Sequence, residues 1–205
     1  MRPWEIILAA VLVLLVFVAG VLARTEVRTA RQMAGIFALW VAQGFGVGGI
    51  PWAPGTFGSV VGLAWLWLLL AGGGYFIFLG GVVAGIALSV WLCGVAEEKL
   101  GKTDPPSVVL DEISAMPLCF LALVWLRARH SGWPEPVSFF SDGNWLPLLG
   151  VFAAFRLFDV WKPWPVRQSQ SLPGGWGITV DDQLAALYVN AVTLGVWGLR
   201  ALLRA

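Results

Sequence analysis

Charge is scarce in this chain of 205 residues. Asp, Glu, Lys and Arg make up 12% of it, against ~25% in a typical soluble domain, and that shortage excludes a water-bathed surface over most of the molecule. An excess of one sign is missing as well. Thirteen basic residues face 12 acidic ones for a net charge of +1, so there is no electrostatic footprint for nucleic acid. Cysteine is limited to Cys93 and Cys119, and histidine to His130. A disulfide framework, a CxxC redox pair and a multi-histidine metal site are all excluded. Chemistry is left to Asp, Glu, Arg, Lys, Ser and Thr.

What the chain has instead is apolar residues, 59% of it, at a mean hydropathy of +0.80. They fall in long runs rather than in the 3.6 or 2.0 periods of half-buried elements, the pattern of an integral membrane protein. Ile6 to Ala23 is an unbroken run of 18 apolar or small residues, within the ~17–25 needed for a spanning helix. A secretory leader is the alternative, with Val21 and Ala23 as its small-residue cleavage site, but the run exceeds the ~7–15 residues of a leader's core. Met33 to Ile50 is apolar yet carries Gly44, Gly46, Gly48 and Gly49, followed by Pro51, Pro54 and Gly55. Backbone broken in this way persists at membrane depth only where protein or a watery cavity covers it, which favours a re-entrant or interfacial segment over a full span. Phe57 to Ala71, Tyr75 to Ala96, Val108 to Leu126, Trp145 to Phe158 and Gln183 to Leu199 supply the remaining runs. The predicted fold is all-α, a polytopic transmembrane helical bundle of about six spans. Residues 1–31 form an extra N-terminal helix with a basic loop, and residues 32–205 form the membrane-embedded domain.

Counting passes returns three polar segments, around Pro54, Asp111 and Asp159, to one face of the membrane. That face also holds Arg24, Arg28, Arg31, Lys99, Lys102, Arg156, Lys162 and Arg167, against Arg2, Arg127, Arg129, Arg200 and Arg204 on the other. The positive-inside rule makes the first face cytoplasmic.

Six of the 12 acids gather there: Asp104, Asp111, Glu112, Asp159, Asp181 and Asp182. Asp104 precedes Pro105 and Pro106, which reads as an N-cap with Pro at the first helical position, so a helix is expected to start there. Asp111 and Glu112 then lie inside an apolar run, where acids are costly and usually functional, although helix-dipole stabilisation alone is the plainer reading. Arg156, Asp159 and Lys162 are spaced three apart, so they share a helical stripe. An interfacial salt bridge explains them; so does phosphate recognition, with Arg156 as a planar fork and Lys162 as a point charge. Asp181 and Asp182 are expected to open the last span, after Gly174, Gly175 and Gly177, whose backbone suits either an anion cradle or a turn. Carboxylate oxygens without His or Cys favour a hard cation such as Mg²⁺. Physical reasoning thus reaches a membrane site for a divalent cation and a phosphorylated lipid, but not the reaction.

IPWAPGTFGS at 50 to 59, VVLDEIS at 108 to 114, FRLFDVWKPWP at 155 to 165 and GGWGITVDD at 174 to 182 together resemble the phosphatidylglycerophosphatase A family, in order and spacing, from about Gly44 to Asn190. FRLFDVWKPWP is the most specific of these. The resemblance implies a bacterial inner-membrane enzyme, its site facing the cytoplasm, that hydrolyses the terminal phosphate monoester of phosphatidylglycerophosphate with Mg²⁺ in phospholipid biosynthesis. By motif matching, Asp111, Glu112, Asp159, Asp181 and Asp182 are the acidic catalytic and metal-binding positions. Arg156 and Lys162 stand alongside for the phosphate, and Asp104 is a supporting acid. The N–H groups around Gly55 and Thr56 are expected to add phosphate donors. The chain departs from the family pattern at Ala115 and Met116, where a Gly often follows the Asp-Glu pair. It departs again at Pro173, where many members have His, so a His-based mechanism is not available here.

Two rival readings remain. A transporter or channel would use the same acids as a cation site, but its paired broken helices are absent, with one Gly/Pro-broken apolar segment in the first half. A CDP-alcohol phosphotransferase also uses clustered Asp with Mg²⁺, but its DxxDG…AR signature is absent.

Overall fold

A computed structural model describes residues 27–141, Gly143 and 145–204, together with Val11 and Leu14. Apart from Val11 and Leu14, the N-terminal run from Ile6 to Ala23 and the loop residues Arg24 and Glu26 lie outside the described residues, whereas residue 31, where the sequence boundary is drawn, falls inside the helix Val27–Ala42. No strand occurs among the described residues, and the architecture is all-helical. The helices are α1 (Val27–Ala42), α2 (Pro54–Ala71), α3 (Tyr75–Leu100), α4 (Leu110–Cys119), α5 (Leu121–Ser131), α6 (Pro136–Ser141), α7 (Trp145–Trp161), α8 (Val166–Ser169) and α9 (Gly175–Leu202). Three of them, α2, α3 and α9, are long and apolar enough to cross a membrane.

The Gly-rich end of the second apolar run departs from regular helix, as its composition predicts. Residues Gly44–Gly49 form a 3₁₀ segment in which Phe45 (φ 58°) and Gly46 (φ 101°) leave helical geometry. It is tied down by Val109 N–H donating to the Ala42 carbonyl at 3.0 Å and by Gln43 Nε2 donating to Ser107 Oγ at 3.2 Å. Pro54 starts α2 because its missing N–H costs nothing in a first turn.

Helix α2 lies on α4 at close range, and small residues permit it. A Cβ on Gly58 would come within 2.9 Å of Val109 Cβ, and one on Gly62 within 2.5 Å of Met116 Cγ. Gly58 and Gly62 thus form a G-x-x-x-G seam, the sequence device for close packing between apolar helices. Phe78, Phe120, Phe155, Leu66, Leu70 and Met116 are fully buried behind it.

Three expectations are corrected. The helix expected from Asp104 begins instead at Leu110, and Asp104 sits in an exposed bend at φ 47°, capping nothing. Proline after aspartate marks a turn as readily as a helix start, and here Val108 N–H closes that turn onto the Pro105 carbonyl at 2.9 Å. The run Val108 to Leu126 is two helices, not one. They part at Phe120, three residues after Pro117, whose ring removes a backbone donor. Asn190 of α9 closes the break: its Oδ1 accepts from Ala122 N–H at 2.7 Å, while its Nδ2 donates to the carbonyls of Leu118 at 2.7 Å and Ala186 at 2.8 Å. We expect Asn190→Leu to lower stability by about 2–4 kcal/mol, because it leaves buried backbone groups unmade at the break; a melting curve unchanged from wild type would count against this. Finally, the last helix starts at Gly175, two turns ahead of Asp181 and Asp182, so neither acid belongs to its first turn.

The helix directions give the bundle two distinct ends. At one end Trp133 Nε1 donates to the Leu70 carbonyl at 2.8 Å and packs on Phe78 and Tyr75. The other end collects the start of α2, the end of α3, the start of α4, the end of α7, α8 and the start of α9. The polar segments around Pro54, Asp111 and Asp159 therefore meet at one end of the bundle, where Gly55 stands beside Glu112 and Arg156.

Candidate active site

Asp111 and Glu112 enter the site from the first turn of α4, and Asp182 from the second turn of α9. One carboxylate oxygen from each lies within 4.8 Å of the others. Asp111 is 7% exposed and Asp182 3%, and one oxygen on each of the three acids, Asp111 Oδ1, Glu112 Oε2 and Asp182 Oδ2, is buried with no hydrogen-bond partner. Buried polar atoms are normally paired, so three neighbouring buried acids that each keep an unpartnered oxygen form a group that could hold a metal ion. The donors are hard oxygens only, which suits Mg²⁺ and disfavours a thiolate- or imidazole-seeking metal.

Glycine makes this approach possible. A Cβ on Gly55 would collide with Glu112 Oε1 and lie 3.5 Å from Arg156 Nη1. The first turn of α2 therefore packs against both groups. The Thr56 N–H does not point to an anion; it donates to the Ala53 carbonyl at 2.9 Å, closing the turn in which Ala53 is left-handed at φ 47°. Gly175 and Gly177 are likewise packing residues. A Cβ on Gly175 would strike the Val90 carbonyl of α3 and one on Gly177 the Leu172 carbonyl of the preceding loop, so these two glycines serve close backbone packing.

Beside the three carboxylates lies a second, paired layer. Arg156 Nη1 meets Asp159 Oδ2 at 2.9 Å, Lys162 Nζ stands 3.8 Å from Asp159 Oδ1, and Lys162 donates to Asp181 Oδ2. Lys162 closes the end of α7 in a left-handed conformation at φ 48°, its N–H donating to the Phe158 carbonyl at 2.8 Å. Thus Arg156, Asp159 and Lys162 do share one stripe, and Asp181 joins it from α9. Asp159 also neighbours Asp182, which links the two layers. Asp104 faces Asp181 from an exposed loop and stands outside the group of three. Burial pushes the Lys162 ammonium down, but Asp181, Asp159 and Asp182 outweigh it and hold the group above its ordinary 10.5. It is a fixed positive charge at neutral pH.

Sequence reasoning missed Ser59, although the residue ends the IPWAPGTFGS motif. Its hydroxyl is fully buried, donates to the Gly55 carbonyl at 2.9 Å and accepts from Arg156 Nη1 at 3.3 Å. It missed Gln183 and Ser114 as well, whose side chains join α9 to α4 at 3.1 Å just behind Asp182 and Asp111. No spacing rule points to either, because each partner is supplied by a distant segment.

Helices long and apolar enough to span a bilayer, closing at one end on buried carboxylates with an arginine and a lysine beside them, define an integral membrane enzyme. The family model for Phosphatidylglycerophosphatase A matches residues 40–197. Phosphatidylglycerophosphatase A of Haemophilus influenzae is 34% identical over 157 residues, covering 76% of this chain and 86% of that protein. Its namesake from Escherichia coli K12 is 31% identical over 148 residues, covering 72% and 76%, and a putative phosphatidylinositol-3-phosphatase of Bacteroides thetaiotaomicron is 31% identical over 157. No solved structure matches the chain. The chain belongs to the phosphatidylglycerophosphatase A family and is a phosphatase, as the resemblance of its motifs implies.

Proposed function

We propose that this protein hydrolyses the terminal phosphate monoester of phosphatidylglycerophosphate, giving phosphatidylglycerol and phosphate, as a step of phospholipid biosynthesis at the cytoplasmic face of the bacterial inner membrane. Its supporting observation is the juxtaposition of three orphaned carboxylate oxygens with Arg156 at one end of an apolar bundle. Asp111, Glu112 and Asp182 would hold Mg²⁺. When bound, the ion supplies Lewis-acid polarisation of a phosphoryl oxygen and a more acidic water. Arg156 binds the phosphoryl oxygens through its guanidinium N–H groups. Lys162, permanently charged, balances Asp159 and Asp181 and adds positive potential where negative charge develops in the transition state. Ring-bearing residues at the mouth, Trp52, Trp161, Trp164 and Trp176, are all exposed and suit the headgroup level, where the substrate phosphate lies. Nothing in the comparisons favours the transport reading.

The test is phosphate release from phosphatidylglycerophosphate by the purified chain in detergent, with and without Mg²⁺. Metal-dependent release is expected; none from a folded protein would sink the proposal. Orientation is tested separately by thiol labelling in intact cells. Exposed Thr103 and Gln168 mark the site end and exposed Ser131 the other. Cysteines at 103 and 168 are expected to react only after permeabilisation and one at 131 before it; the reverse pattern would overturn the cytoplasmic placement.

A further inference from the structure

We propose that Ser59 is a positioning residue that aims Arg156 at the substrate phosphate. This rests on the reading of Arg156 as the phosphate-binding group. Ser59 lies in the second turn of α2, fully buried, 97 residues from Arg156 in sequence. A serine hydroxyl has one proton, and an arginine can only donate. The proton of Ser59 is therefore committed to the Gly55 carbonyl at 2.9 Å, and its lone pair receives Arg156 Nη1 at 3.3 Å.

Among the described residues Arg156 makes two polar contacts, to Ser59 Oγ and to Asp159 Oδ2 at 2.9 Å, and both use Nη1. A guanidinium left alone with a carboxylate prefers two parallel hydrogen bonds, which would spend its second terminal nitrogen on Asp159. The serine holds Nη1 between two acceptors on different helices and keeps the group turned away from that arrangement. The remaining N–H groups stay available, on a side chain 22% exposed. Gly55 completes the bracket, since a Cβ there would reach Arg156 Nη1 at 3.5 Å and would require the Glu112 carboxylate to shift. A plainer account is that a serine in an apolar helix returns its proton to the carbonyl four residues back merely to satisfy itself. That account explains the bond to Gly55 but not the acceptor side, which faces Arg156.

The experiment compares wild type with Ser59→Ala and Ser59→Cys, the latter keeping the shape with a slightly larger atom that is a poor acceptor. The readouts are kcat, KM for phosphatidylglycerophosphate, the competitive inhibition constant of inorganic phosphate, and Mn²⁺ affinity. Both variants are expected to raise KM and the phosphate inhibition constant about tenfold, the scale of one hydrogen bond to a charged group. Mn²⁺ affinity is expected to stay within about twofold, since Ser59 touches none of the three orphaned carboxylates. A merely structural serine would lower the active fraction, hence kcat, and leave the inhibition constant unmoved; that result overturns the proposal. Wild-type protein that hydrolyses the lipid but is not inhibited by phosphate would remove the Arg156 reading and the serine's role with it. Inhibition equal in wild type and both variants would remove only the serine.

Discussion

Asp182→Asn is expected to reduce hydrolysis by on the order of 10³-fold, the several kcal/mol that a correctly held divalent cation contributes, and at the same time to raise the melting temperature of the metal-free protein. The two effects have one cause. Asp182 is 3% exposed, and its Oδ2 has no partner although carboxylate oxygens of Asp111 and Glu112 lie within 4.8 Å. Without a cation this arrangement puts like groups together in a low-dielectric interior, which opposes folding. Asparagine keeps the shape, removes a charge and brings an N–H donor to the orphaned oxygens. A gain of about 1–2 kcal/mol is reasonable, which in a chain of this size is roughly 2–8 °C. Adding Mg²⁺ should then stabilise wild type and not the variant, because only a species that binds the folded state shifts its melting. Measured side by side, activity and melting curves separate the alternatives. Activity within tenfold of wild type would take Asp182 out of the reacting machinery, and a fall in both quantities would make it a structural acid.

That trade between stability and function also explains what is legible in the sequence. An acid inside an apolar run is visible because it breaks a local rule, so Asp111 and Glu112 stand out, and Asp181 and Asp182 are visible as an adjacent pair at the edge of the last run. The stripe Arg156, Asp159 and Lys162 is legible for a similar reason: its members are neighbours on one helix, and helical spacing brings them together. Residues whose role depends on a partner far along the chain leave no such mark. Ser59 looks like any serine in an apolar helix until α7 brings Arg156 to it. Asn190 looks like a polar interruption until it is found closing the break between α4 and α5. Asp104 shows the converse error, a strong local signal for a helix start that the turn closed by Pro105 overrides. Even the division of the acids is a tertiary fact. Asp181 and Asp182 are adjacent in sequence, yet one turns to Lys162 and the other to Asp111 and Glu112.

This division predicts a different response at Lys162. Lys162→Met is expected to destabilise the protein by about 3–5 kcal/mol, as removal of one member of a buried pair does, and to abolish measurable hydrolysis. The side chains of Asp181 and Asp159 are 5% and 13% exposed, and Lys162 is the cation between them. Because the folded protein raises the Lys162 pKa, the stabilisation is fully present below the ordinary value of 10.5 and is lost only as pH rises through the higher folded value. The cost should therefore be constant across neutral pH. Adding Asp181→Asn to Lys162→Met removes the uncompensated acid and should recover most of the lost stability, so the two changes couple rather than add. Activity should not return with it. A lysine serving only to neutralise Asp181 becomes dispensable once that acid is gone, whereas one whose charge also acts on the phosphoryl group does not. A double variant that is both stable and active would show that the paired layer is scaffolding alone, and that Arg156 and the three carboxylates suffice for the chemistry.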